Sequence, residues 1–187
     1  MNMQIKLGIA AVAALFAASC AQTPPPAPVA IVKDGELTIP ADYKSWKATL
    51  LYVQRPDAKQ IREIYVNNIG ANTKPGDVFP NGTVSVMEIY AAKAAADGSL
   101  EKGADGKLVK GNLAKVFVMG KNAGWGKDPA EQPANGDWVY SAFMPDGKTK
   151  APDPIAACRT CHATNPNIGP TKDFFARYDE FFASLKK

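Results

Sequence analysis

The chain has 187 residues, three cysteines, one histidine and a formal net charge of +4. So modest a charge, with no block of like-charged residues, gives no basis for a nucleic-acid surface. The length is sufficient for one domain with a core of its own.

Residues 1–19 carry Lys6 and then an unbroken apolar run over 7–18. A positive start, a short apolar centre and small residues at the end describe an export signal. The run is shorter than the ~20 residues a helix needs to cross ~30 Å of hydrocarbon. Removing 1–19 removes only Lys6 and leaves a charge of +3. Ala17-Ala18-Ser19-Cys20 resembles a bacterial lipobox, so Cys20 is expected to become the lipidated first residue of a periplasmic protein. The competing cleavage follows Ala21. On this reading the protein touches a membrane only through the lipid on Cys20. Residues 20–32 are a Pro-rich linker, extended and poorly packed, and the folded domain is expected over 33–187.

Residues 36–40 are an extended segment ending in a turn, and 42–47 make one helical turn anchored by Trp46. Residues 48–53 read as a strand ended by Pro56, and 61–66 as a second strand. Residues 67–80, punctuated by Gly70, Pro75, Gly76 and Pro80, form a loop or short helix. Residues 82–90 give the clearest strand. Alternation puts Thr83, Ser85, Met87 and Ile89 on one face, and Val84, Val86, Glu88 and Tyr90 on the other. Residues 91–110 are an exposed hairpin loop with turns at Asp97-Gly98 and Asp105-Gly106. Residues 115–119 and 138–143 are two further strands, separated by a long loop that contains Trp125. A Pro-rich connection, 145–155, follows.

It delivers the chain to Cys158-Arg159-Thr160-Cys161-His162. This is the C-x-x-C-H spacing of covalent haem attachment. Two thiols three residues apart can each form a thioether to a haem vinyl group, and the histidine after the second can bind the iron. A zinc site would need a second pair of ligands, which the sequence lacks. A redox dithiol would be expected beside a βαβ pattern, which is also absent. His162 is the only histidine, so iron ligation by two histidines is excluded. With Cys158 and Cys161 used by haem, Cys20 would otherwise be an odd thiol in an oxidising compartment.

Beyond the motif, Phe174, Phe175, Tyr178, Phe181, Phe182 and Leu185 fall on one helical stripe, with Thr171 as its N-cap. The predicted fold class is therefore α+β: a mainly antiparallel β-sheet with a few helices, and one haem c held at a C-terminal C-x-x-C-H loop followed by an amphipathic helix.

In the order and spacing of residues 36–40, 61–66, 79–88, the Trp138 strand and the late C-x-x-C-H, the chain resembles the cytochrome P-460 and cytochrome c-prime-beta family. The resemblance covers nearly all of 33–187. It implies a mainly antiparallel fold, one haem c, His162 as the proximal ligand and a homodimer. Family members that oxidise hydroxylamine carry a lysine joined to the haem edge, in the strand just before the Glu. Here that position is Met87, and a thioether supplies no amine. Lys93 lies six residues on, ~20 Å along an extended strand. Two readings of Met87 stand: a side chain packed beside the porphyrin, or a sixth iron ligand opposite His162. Met119 and Met144 are further candidates for the ligand. Arg62 matches a family arginine and is a candidate contact to a haem propionate or a distal ligand. Phe79, Phe117 and Phe143 are candidates for an apolar distal cap.

Three functions follow. The first is a haem protein that takes up a small gaseous ligand such as nitric oxide. The second is a His/Met-ligated electron-transfer cytochrome working with a redox partner protein. The third is an oxidoreductase acting on hydroxylamine or nitric oxide, which by the family pattern needs the missing lysine.

Overall fold

Five strands form one antiparallel sheet: β1 (Ala48–Arg55), β2 (Gln60–Val66), β3 (Val84–Ala92), β4 (Lys110–Lys121) and β5 (Trp138–Phe143). The structure, a computed structural model, describes residues 30–175 apart from 47, 75, 129 and 167. The export segment, Cys20 and most of the Pro-rich linker lie outside the described residues.

Each strand lies beside its neighbour in sequence, in the order β1-β2-β3-β4-β5. The connections explain this simple meander. Pro56 ends β1 and opens a short 3-10 turn, which Lys59 closes in a left-handed conformation (φ 53°), so the chain reverses directly into β2. After β2, Asn67 caps α1 (Asn68–Ala71), its Oδ1 accepting from the Gly70 amide at 3.1 Å. The same side chain donates to Gly82 O at 2.8 Å and so fixes the approach to β3. Between β3 and β4 the chain makes the expected exposed hairpin, with Gly98 and Gly106 at positive φ in its turns.

Both faces of the sheet are covered. On one face Leu37, Val86, Val116, Val118, Val139 and Phe143 form a core closed by the N-terminal segment through Val32, Ile39, Tyr43 and Trp46, and by Trp125 from the loop between β4 and β5. On the other face Val66, Phe79, Met119, Trp138, Tyr140 and Phe175 form a second core. This second face meets α2 (Ile155–Thr164), which packs on β5. Edge strand β5 is buried along its length. At Tyr140 its outward backbone groups are taken up: the amide donates to Asp34 Oδ1 at 2.9 Å, and the carbonyl accepts from the Gly35 amide at 2.7 Å. An edge so occupied cannot recruit another strand there.

Two expectations need correction. The C-x-x-C-H motif lies within helix α2, not in a loop. Ala156, Ala157 and Ala163 are strong helix formers, and Pro154, just before the first turn, is where a helix tolerates proline. Nor does a helix begin at Thr171. Residues Pro170–Lys172 form a single 3-10 turn, and Asp173 and Phe174 then adopt left-handed conformations (φ 51° and 57°). The rest of the aromatic stripe, Tyr178, Phe181, Phe182 and Leu185, lies outside the described residues.

Candidate haem-binding site

A cavity of about 370 Å³ separates the sheet from α2. Its sheet wall is a cross-strand row: Ile64 pairs with Met87, and Met87 with Phe117. Leu50, Val53 and Met119 extend this apolar surface. The alternation that puts Met87 here puts Glu88 on the opposite face. Across the cavity stand Ala157, Cys158, Cys161 and His162. Arg55, Arg62 and Asp153 supply its charged lining.

Cys158 and Cys161 are one helical turn apart and so lie on one face of α2. They are not joined to each other; Cys158 is half-buried and Cys161 exposed. Burial, assisted by the carboxylates of Asp34 and Asp153, pushes the Cys158 thiol up to about 11. The thiol is therefore protonated at neutral pH and is a weak nucleophile unless activated.

His162 Nδ1 lies 2.6 Å from the carbonyl oxygen of Phe174. A carbonyl can only accept, so Nδ1 carries the proton and donates it. Burial lowers the imidazole pKa, against a smaller raising effect of the Phe174 bond. The ring is thus neutral at pH 7, with the lone pair left on Nε2. That is the tautomer an axial histidine needs. Tyr140 packs beside the ring, centroid to centroid 5.1 Å.

Behind the motif, Arg159 is almost wholly buried, 1% exposed. Its Nε donates to Asp34 and its Nη2 to Glu131 at 2.9 Å, with the Trp138 carbonyl 3.3 Å away. Asn135 Nδ2 donates to the Arg159 carbonyl at 3.2 Å and to the Tyr140 hydroxyl at 2.9 Å. This network seats α2 and with it both thiols and the imidazole. Sequence reasoning missed it, because the partner acids lie 125 and 28 residues away and nothing local marks them.

The cavity brings together Cys158, Cys161, His162, Met87 and Arg62. Arg62 is half-buried, and among the described residues its guanidinium hydrogen-bonds only to Gln60 Oε1, at 3.2 and 3.4 Å. No carboxylate among the described residues forms an ion pair with it. Burial accordingly lowers its pKa from the usual arginine value. Arg55, not foreseen from the sequence, lines the same cavity and is held in a forked pair with Asp57 at 3.0 and 2.7 Å. Of the three methionine candidates Met87 and Met119 line the cavity and Met144 does not. Of the three phenylalanines only Phe117 does. Phe79 packs instead with Trp138 and Phe175, and Phe143 lies in the core on the far side of the sheet.

The donor set suits a haem: two unpaired thiols on one helix face, a neutral imidazole with its outer nitrogen engaged, and a broad apolar wall opposite. Among the described residues no group of three or more His, Cys, Asp or Glu side chains gathers to hold a bare metal ion. The family model for cytochrome P460 matches residues 40–173. The chain belongs to the cytochrome P460 family. As a cytochrome P460 family member it is a c-type haem protein, and the matched span runs from the start of the sheet through the motif helix. No curated protein sequence matches the chain.

Proposed function

We propose that the protein carries one haem c, joined to Cys158 and Cys161 with His162 at the iron, and that it takes up a small neutral ligand such as nitric oxide on the side facing the sheet. The observation that carries this reading is the wall of Ile64, Met87 and Phe117, apolar throughout and directly across the cavity from α2. A haem iron held by one imidazole offers an open coordination position. The protein's own residues do the rest. Ile64, Phe117 and Val53 line that side with groups that neither donate nor accept hydrogen bonds, which disfavours polar ligands there. Arg62, a cation short of partners, is matched to a haem carboxylate. Arg159 and the Phe174 carbonyl hold the motif helix and the imidazole.

Met87 argues against hydroxylamine oxidation. No lysine is among the described residues lining the cavity, and Lys93 is exposed beyond the end of β3. A second reading, electron transfer with a methionine sixth ligand, is supported by the two sulfurs of Met87 and Met119 on the same wall.

Absorption spectra of the oxidised and reduced protein test both. The first reading expects a high-spin ferric spectrum, a ferrous spectrum that changes on adding nitric oxide, and no change of either coordination state in M87A or M119A. A low-spin ferric spectrum that turns high-spin in one of those variants would favour the second. A ferrous protein indifferent to nitric oxide would sink the first. The sequence of the export segment and Cys20 supports a place on the periplasmic side of a bacterial membrane through a lipid anchor, and intact-mass measurement of the native protein tests that.

A further inference from the structure

The carbonyl that engages His162 belongs to a residue held in an unusual backbone conformation. Asp173 and Phe174 are consecutive non-glycine residues at φ 51° and 57°. Such conformations persist only where the surroundings hold them. Here the hold is specific. Asp173 Oδ2 accepts from Lys121 Nζ at 2.7 Å and from the Phe79 amide at 2.8 Å. Both side chains of the ion pair are largely buried, 7% and 15% exposed. The Phe174 amide donates to Gly169 O at 3.1 Å. On the far side Phe175 stacks on Trp138, with ring centroids 5.8 Å apart and planes 12° apart.

Lys121 is itself anchored. It ends β4 opposite Trp138, its amide donates to Thr83 O at 2.9 Å, and its carbonyl accepts from Gly82 N at 2.8 Å. A rigid line therefore runs from the end of the sheet through Lys121 and Asp173 to the Phe174 carbonyl and His162 Nδ1.

We propose that the Lys121–Asp173 ion pair is the positioning device that sets the donor strength of His162 toward the haem iron. This rests on the reading of His162 as the iron ligand. A histidine that donates its outer N–H to a well-placed acceptor is a more basic ligand, and a more basic ligand favours the ferric state. Loosening Asp173 lets the Phe174 carbonyl drift from Nδ1 and weakens that bias. Neither Lys121 nor Asp173 lines the cavity, so neither touches the haem directly, and the stretching frequency reads the path through the carbonyl.

The test uses the haem-loaded full chain and the variants K121M, D173A and K121R. Two quantities are read: the iron–histidine stretching frequency of the ferrous protein by resonance Raman, and the reduction potential. In K121M and D173A the frequency is expected to fall. In D173A the potential also rises, whereas K121M removes a positive charge as well, so there the frequency alone is decisive. K121R, which keeps the ion pair, stays with the wild type. If D173A does not fold, K121M against K121R carries the comparison. A wild-type stretching frequency in K121M would overturn the proposal. A wild-type protein with haem bound but no iron–histidine band would instead overturn the assignment of His162, and this proposal with it.

Discussion

Glu63 and Glu88 stand directly opposite one another on β2 and β3, and both are buried. Like charges so placed repel. The pair is tolerated because cations and hydroxyls surround it. Lys44 and the hydroxyls of Tyr43 (2.8 Å) and Tyr90 (2.9 Å) donate to Glu88, while Lys110 (2.8 Å) and the Tyr65 hydroxyl (3.3 Å) donate to Glu63. Burial pushes the Glu88 carboxyl up, but the bonds from Lys44, Tyr43 and Tyr90 outweigh it and hold the group below its usual value.

A depressed carboxyl stabilises the fold fully above the ordinary glutamate range, ~4.3, and that contribution is lost as pH falls through the folded value. E88Q should therefore lower stability at pH 7 by about 1.5–3 kcal/mol, the worth of hydrogen bonds to a charged group, and flatten the acid limb of the stability curve. Urea unfolding of both proteins between neutral and acid pH measures this; parallel curves would contradict it. Tyr65 acts at the other end. Burial, aided by Glu88 and Glu63, pushes it up to about 12. Its contribution is present below ~10 and should disappear as pH rises through about 12.

Arg159 is the costliest residue of the motif helix to replace. R159M leaves Asp34 and Glu131 facing an apolar side chain, and breaking a buried pair from one side costs about 3–5 kcal/mol. Urea denaturation should show that loss. In the same variant the Cys158 and Cys161 thiols of the haem-free protein should react faster with a thiol reagent. An R159M protein as stable as the wild type would mean that the network contributes nothing.

Gly126 has φ +65°, and a Cβ there would lie 2.4 Å from the Trp138 carbonyl oxygen. That backbone atom cannot yield cheaply, and it is also within reach of Arg159 Nη2 at 3.3 Å. G126A should cost about 1–3 kcal/mol, as overpacking does. Because the two sites share the Trp138 carbonyl, G126A and R159M together should cost less than the sum of each alone. Strict additivity in the double mutant would refute the shared contact.

Arg62 trades stability for binding. It is a half-buried cation with one neutral side-chain partner, Gln60. R62M should leave the haem-free protein as stable or raise it by up to about 1 kcal/mol, the sign expected when an unpaired buried charge is removed. In the loaded protein the loss of a nearby positive charge should lower the reduction potential, by roughly 30–60 mV on a scale of 59 mV per decade. A raised or unchanged potential would remove Arg62 from the haem environment.

Much of the fold is legible in the chain. Residues 48–53, 61–66, 82–90, 115–119 and 138–143 all lie on strands or at their margins, because β-branched and aromatic runs bounded by Pro, Gly and Asn are strong local signals. The alternation at Val86, Met87 and Glu88 correctly separates the cavity face from the far face. The motif is legible because its chemistry fixes its spacing. Less visible are features that depend on distant partners. Helix α2 follows a Pro-rich stretch and shows no clear apolar stripe, so its helicity rests on alanines and on the seat provided by Arg159. The left-handed turn at Asp173 and Phe174 depends on Lys121, which no local pattern connects to it. Residues 61–66 do not alternate cleanly, and the cause is plain: both faces are covered, so Ile61 and Ile64 point apolar groups in opposite directions.

Asp34 and Arg159 are separated by 125 residues, so the two ends of the domain must meet before this pair can form. A chain cut anywhere between them holds an acid without its counterpart. The sheet of neighbouring strands can pair through contacts close in sequence, but the seam between Asp34 and helix α2 closes only when the motif is in place. The joining of the N-terminal segment to a properly seated attachment helix thus depends on a single buried guanidinium.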